Sequence, residues 1–301
     1  MSSSRLDRQY EANEHAGLAK QAYTADRLDE AIAHIGRAIA VLRALLATEP
    51  ADAQTERLLA GQLENRAGIL GSLGSYPQAI ADASEALRIY QRLEADWPSM
   101  AALRATAQGR LGRMLAFAGP QADATAGSAR EHAAAAVRTY RELVATDPAQ
   151  RSGLAHMCRL EGDVLLVLDG AASSGSLAAY AAAVAAFREL GPQLSDPDQR
   201  VFAEAALRLA YGLGEAERLD EAHDAAREAV EQQQALAAGG DGANADYVRA
   251  LYLLGTLGRE LDDPEGEQSL VDAAYVISVM TLDGKPLPAD VAAMRDQLEG
   301  V

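Results

Sequence analysis

The side chains that could do chemistry are few: five histidines, one cysteine, and arginines recurring along the chain. Glu11/His15 and Glu30/His34 stand four apart, so on a helix each pair shares a face and offers a carboxylate and an imidazole to a metal ion. His156 and Cys158 stand two apart and point to different sides of a helix, which predicts a buried thiol and a helix histidine. Asp262-Asp263-Pro264-Glu265 has the composition of a carboxylate metal motif. Between two helices it reads instead as a turn and cap, where Asp accepts open N–H groups. Gly68, Gly71 and Gly74 follow no strand and precede no Lys-Ser/Thr, so they do not form a phosphate loop. With no nucleophile elbow and no Cys/His pair of catalytic spacing, we expect no enzyme, no catalytic residue, no cofactor and no metal. The arginines carry more information. Arg104, Arg110 and Arg113 stand in a segment, 99–118, that holds no acid. Arg57, Arg66, Arg151, Arg159, Arg200, Arg208, Arg249 and Arg259 recur in comparable segments. Guanidinium binds carboxylate through two parallel hydrogen bonds, so the ligand these residues suit is acidic.

The bulk composition limits the partners. Twenty-seven Lys and Arg against 44 Asp and Glu give a formal charge of −17, with a pI near 4.7. Such a chain lacks the basic surface that nucleic acid or an anionic membrane requires. The N-terminal MSSSRLDRQYEANEH has no apolar core for a signal peptide. VLLVLDG at 164–170, the most apolar run, is far below the roughly 18–20 residues of a span. Cys158 has no partner for an intramolecular disulfide, which fits a reducing compartment. We expect a cytoplasmic protein with no nucleic-acid and no membrane partner. Lys20 and Lys285 are the only lysines among many arginines, and with abundant Ala and Gly this suggests a GC-rich bacterial genome.

The elements that position these residues follow from an internal repeat. Glu49-Pro50, Trp97-Pro98, Asp147-Pro148 and Asp196-Pro197 recur at spacings of 48, 50 and 49. Ala38, Ala86 and Ala136 each precede the proline by twelve, and Ala186 precedes Pro197 by eleven. Seven residues earlier stand Ala31, Ala79, Ala129 and Ala179. Ala222 and Ala229 extend the series to Asp241 at the same offsets without the proline. Small residues seven apart lie on one helix face and let a second helix approach closely.

Leu18-Ala19-x-x-Ala22-Tyr23 with Leu28-Asp29-Glu30-Ala31-Ile32, Ala67…Leu70…Gly74-x-Tyr76-x-x-Ala79-Ile80, and Leu209-Ala210-x-x-Leu213 with Leu219-Asp220-Glu221-Ala222 carry a further signal. Over about residues 6–281 the chain resembles the tetratricopeptide repeat family, in a long-helix variant. Each of the two helices, A and B, is about seven residues longer than the family's, about 10 Å at 1.5 Å per residue. Both must lengthen together, or one apolar stripe would overhang into water. The resemblance implies an all-α, right-handed solenoid of about six antiparallel hairpins forming a single domain, with units at about 6–50, 51–98, 99–148, 149–197, 198–241 and 242–282. Helix pairs are expected at 6–24/27–48, 52–73/77–95, 99–118/123–146, 149–168/176–191, 198–216/219–238 and 243–261/264–281. Gly239-Gly240 and Asp283-Gly284-Lys285-Pro286 are the expected breaks, and a helix at 288–299 caps the open end.

In that family the A helices line a concave groove and the B helices face outward. The resemblance therefore places Arg66, Asn65, Arg104, Arg110, Arg113, Arg159, Arg208 and Tyr211 in a candidate peptide groove, with Tyr252 as a further contact. The acids Asp29, Glu30, Asp82, Glu85, Glu94, Asp96, Glu221, Asp224, Glu228 and Glu231 fall outside. It also puts His15 near a packing position and His34 on the outward face. The expected function is a non-catalytic scaffold that binds a protein segment, an acidic peptide or C-terminus, in the groove. The alternatives are a regulatory or sensor module acting on a separate transcription or signalling partner, and a structural homo-oligomer. The family's peptide carboxylate clamp is not reproduced residue by residue.

Overall fold

The computed structural model describes residues 2–50, 52–119, 123–191, 194–238, 244–282 and 286–298. It contains thirteen α-helices and no strand among the described residues. They are α1 (Ser2–Thr24), α2 (Leu28–Thr48), α3 (Ala53–Ser72), α4 (Tyr76–Asp96), α5 (Ala101–Phe117), α6 (Asp123–Thr146), α7 (Arg151–Asp169), α8 (Ser174–Arg188), α9 (Asp196–Glu215), α10 (Leu219–Ala238), α11 (Ala245–Glu260), α12 (Glu265–Leu282) and α13 (Ala289–Leu298). Odd-numbered helices up to α11 are the A helices and their even-numbered successors the B helices. The expected breaks at 239–240 and 283–285 lie outside the described residues.

Two compact units emerge, Met1–Asp147 with α1–α6 and Pro148–Val301 with α7–α13. In each, A and B helices pair as antiparallel hairpins, and each B helix packs on the A helix that follows. The fold class is an all-α helical-repeat solenoid. The repeat alanines stand where hairpin helices cross. Ala31, Ala38, Ala79, Ala86, Ala129, Ala136, Ala222 and Ala229 are all fully buried. α2 shows the pattern in full, burying Ala31, Ile35, Ala38, Ile39, Leu42 and Leu45 along one stripe. By length and composition α2 is also apolar enough to cross a membrane, which revises the expectation that no segment approaches a span. Here that stripe is spent on the hairpin core.

Each A-to-B turn holds one described residue with left-handed backbone: Asp26, Gly74, Gly119, Gly170, Glu217 and Asp262. Four of these turns close with an N–H reaching back five residues: Arg27 to Ala22, Ser75 to Leu70, Arg218 to Leu213 and Asp263 to Gly258, at 2.8–2.9 Å. This is the Schellman closure, which satisfies the last carbonyls of the A helix and reverses the chain at once. Asp263 then caps α12, its Oδ1 accepting from the Glu265 N–H at 3.0 Å, the role expected of that acidic cluster.

Glycine on the A helices lets the B helix approach still closer. A Cβ at Gly212 would lie 2.6 Å from the Ala171 carbonyl oxygen and 2.8 Å from Leu177. Gly214, two residues on in the same helix, faces open space. We expect Gly212→Ala to destabilise the protein by roughly 1–3 kcal/mol through overpacking. Gly214→Ala should be neutral or stabilising by up to about 1 kcal/mol, through helix propensity. Urea denaturation of both variants checks this; equal effects would show that α9 is not held against α8 as described.

Candidate functional site

α3 approaches α5 in the first unit, and α7, α9, α11 and α13 approach one another in turn in the second, more closely than successive B helices do, so these A-row helices form the inner side of each stack. In the first unit a cavity of about 490 Å³, open to solvent, lies among α1, α2, α3 and α5. α1 contributes Ala16, Ala19, Lys20 and Tyr23, and α2 contributes Ile35. α3 contributes Gln62, Glu64, Asn65, Gly68 and Ile69, and α5 contributes Arg110. The floor is apolar because these helices cross on small and aliphatic residues. The walls carry two cations, two carboxamides, one carboxylate and the Tyr23 phenol.

Glu64 anchors this arrangement. It is 7% exposed, yet its carboxylate reaches two partners. The Tyr90 hydroxyl of α4 donates to one oxygen at 3.1 Å, and the Arg110 guanidinium of α5 donates to the other at 3.3 Å. Burial pushes the Glu64 carboxyl above its ordinary value, and the Arg110 charge with the Tyr90 and Arg110 hydrogen bonds pulls it partly back. Burial, then the Glu64 charge, raises the Tyr90 phenol as well, so it stays protonated and remains a donor. Nearby, the Gln62 carboxamide oxygen is buried with no hydrogen-bond partner among the described residues.

The second unit builds a related group. Asp163 of α7, also buried, accepts from the Tyr180 hydroxyl of α8 at 2.9 Å and from Arg159 at 2.8 Å. Arg159 further reaches Glu204 of α9 at 3.5 Å. In both units a B-helix tyrosine thus tethers a buried acid on the preceding A helix.

The expected groove residues divide. Asn65 and Arg110 line the first-unit cavity. Arg66 turns the other way, its guanidinium bidentate on Asp82 of α4 at 2.6 and 2.7 Å, beside a smaller notch lined by Ile32 and Leu70. Arg104 faces the B helices, bonding Glu94, Gln108 and Thr139. Arg113 stacks over the Phe117 ring at 5.0 Å. Arg159 is held as described, Arg208 is exposed, and Tyr211 is half-buried, its phenol raised by burial. Tyr252 of α11 hydrogen-bonds Gln297 of α13. Together with the Arg249–Asp290 pair at 2.6 Å, this sets α13 beside α11 as a further member of the A row.

Two expectations about the outer face are corrected. Asp82 does not point outward; it is 7% exposed because Arg66 draws it into the hairpin. His34 is turned inward too, its Nδ1 lying 3.4 Å from Nδ1 of His15. His156 bonds Asp198 at 2.9 Å, and Cys158 is buried. Among the described residues no group of three or more His, Cys, Asp or Glu is poised to hold a metal ion. Lys20, Tyr23 and Gln62 escaped the sequence reading, which searched for arginine. Their signal was positional: Lys20 and Tyr23 flank the first repeat's Ala19 and Ala22, and Gln62 precedes Arg110 by 48 residues, one repeat.

No family model and no curated protein matches the chain. Solved structures do. BtubC (BKLC) from P. vanneervenii is similar at 18% identity and a TM-score of 0.63, over 87% of this chain and 94% of that one. The S. pombe nuclear import adaptor Nro1 is similar at 11% identity and a TM-score of 0.60, over 97% and 99%. A second Nro1 structure, described as a hypoxic regulator of sterol synthesis and nuclear import adaptor, gives 12% and 0.56. At these identities the likeness concerns the fold: a helical-repeat solenoid.

Burial holds the Glu64 carboxyl above its ordinary value in the folded chain. A carboxyl that titrates higher in the folded than in the unfolded chain stabilises fully below the ordinary carboxylate range. That contribution is lost as pH rises through the folded value. Glu64→Gln should therefore gain stability relative to the wild type between pH 4.5 and 8, read from urea midpoints at both. A difference that stays constant with pH would show that Glu64 does not titrate abnormally.

Proposed function

We propose that this chain is a non-catalytic, tetratricopeptide-like interaction scaffold of the cytoplasm. It holds an acidic segment or terminal carboxylate of a partner protein against the A helices of its first unit. One observation carries the reading. In a chain of net charge −17, Lys20 and Arg110 face a single apolar-floored cavity of about 490 Å³ beside Asn65 and Gln62. Cavities of roughly 300–1,000 Å³ with an apolar lining and a few convergent polar groups are typical of ligand sites. A carboxylate would meet two cations and a carboxamide donor, while an apolar side chain beside it would rest on Ala16, Ala19, Ile35 and Ile69. Packed helices fix the apolar floor and the backbone positions from which Lys20 and Arg110 reach, which limits the ordering entropy that opposes binding. The adaptor role printed for Nro1, a protein of the same fold, is in keeping with a scaffold.

Capture of partners from a lysate of the source cell tests the proposal, with bound proteins identified by mass spectrometry at low and high salt. Lys20→Gln/Arg110→Gln should lose the wild type's partner by at least about tenfold, and high salt should weaken capture. Arg43→Gln, on the outer face of α2 and paired with Glu85, should retain it. A partner held equally by all three proteins would move the interaction away from this cavity.

A further inference from the structure

We propose that a carboxylate ligand enters the first-unit cavity together with a proton. The ligand's carboxylate takes over Arg110, and Glu64, left buried without its cation, is neutralised by a proton from solvent. The inference rests on the reading of the cavity as an acidic-segment site and adds a regulatory role for Glu64.

The geometry makes Arg110 the movable partner. Its side chain is 43% exposed while that of Glu64 is 8% exposed. The bond between them is long at 3.3 Å, and Arg110 comes from a different helix. A guanidinium at the cavity mouth can rotate to a new carboxylate without disturbing packing; the glutamate cannot follow it. Once Arg110 turns away, Glu64 keeps only the Tyr90 hydroxyl. A buried carboxylate with one neutral donor is costly, whereas the carboxylic acid is not. The charge balance closes: the ligand anion and one proton enter, Arg110 exchanges one carboxylate for another, and the site's net charge is unchanged.

The other groups around Glu64 permit this. From α1, Lys20 and Tyr23 share the cavity, with Lys20 exposed towards the ligand. α2 presents only the apolar Ile35. On α3, Arg57 acts at a distance on Tyr90. None of these is hydrogen-bonded to Glu64, so none stands ready to replace Arg110.

The second unit shows the same elements without the exchange. Arg159 lies four residues before Asp163 on the same helix, with its side chain 12% exposed, and it also contacts Glu204. It cannot leave without stranding its own charge. The acid–tyrosine tether alone is therefore structural, and the coupling arises where the cation is supplied by an exposed neighbour.

Calorimetry with acetyl-Gly-Leu-Asp-Glu-Leu as the probe tests the exchange in phosphate and in Tris at pH 7, whose different ionisation heats report protons taken up. Wild type should take up close to one proton per peptide, and its affinity should tighten by up to tenfold per pH unit lowered. Glu64→Gln should bind with no uptake and no such dependence between pH 6 and 8. A ligand-free arm follows the Glu64 carboxyl by NMR in wild type and in Arg110→Gln, where it should titrate at higher pH. Binding without proton uptake overturns the exchange and leaves the groove reading standing. No binding, with Glu64 unmoved in Arg110→Gln, overturns both.

Discussion

The closeness of the two helices in every hairpin governs the rest of the molecule. Long helices pair over their whole length only if the crossing points carry no bulk, and alanine seven apart on the B helix meets that condition. Where alanine is still too large, the A helix uses glycine: an added Cβ at Gly255 would lie 2.5 Å from Leu270. This closeness leaves few places for large apolar side chains. The core is accordingly rich in alanine and leucine, and bulky aromatics enter at few sites, Tyr90, Tyr180 and Phe187 among them.

Those tyrosines bring polar atoms into the interior, and their hydroxyls require acceptors. Glu64 and Asp163 supply two, while Tyr140 finds Thr106 and the Ala102 carbonyl. Each is an A-helix group reached from a B helix, so the tether fixes the rotational setting of one helix on the other. A buried acid must then be compensated, and arginine from the same or the next A helix does so. The chemistry of the first-unit cavity is thus a consequence of packing: a tyrosine that needs an acceptor draws an acid inside, and the acid draws a cation to the rim.

The helices were legible because their signals are local and recur. Ala31 and Ala38 repeat at Ala79 and Ala86 and again at Ala129 and Ala136, and proline or a left-handed residue punctuates the ends. The site was legible only in part. Asn65 and Arg110 line the cavity, but Arg66 stands one residue after Asn65 and faces Asp82. One step along a helix rotates a side chain by about 100°, enough to move it from the groove to the hairpin interior. A resemblance that assigns whole helices to a surface cannot resolve that rotation. Lys20 was passed over for the same reason: it becomes a site residue only through the helices that surround it.

The arginines show how a strongly acidic chain disposes of its positive charge. Arg43, Arg188 and Arg227 bridge successive B helices, and Arg66 and Arg159 neutralise buried acids; in these cases the cation is consumed by the fold. Arg110 on Glu64, like Arg92 on Glu56, stays exposed while its acid is buried, and of the two only Arg110 lines the cavity. At a distance the chain's net charge repels an anionic partner, but salt screens that field beyond about 8–10 Å. Around the cavity, Lys20 and Arg110 stand against the single carboxylate of Glu64, so the lining is locally positive within a strongly acidic chain.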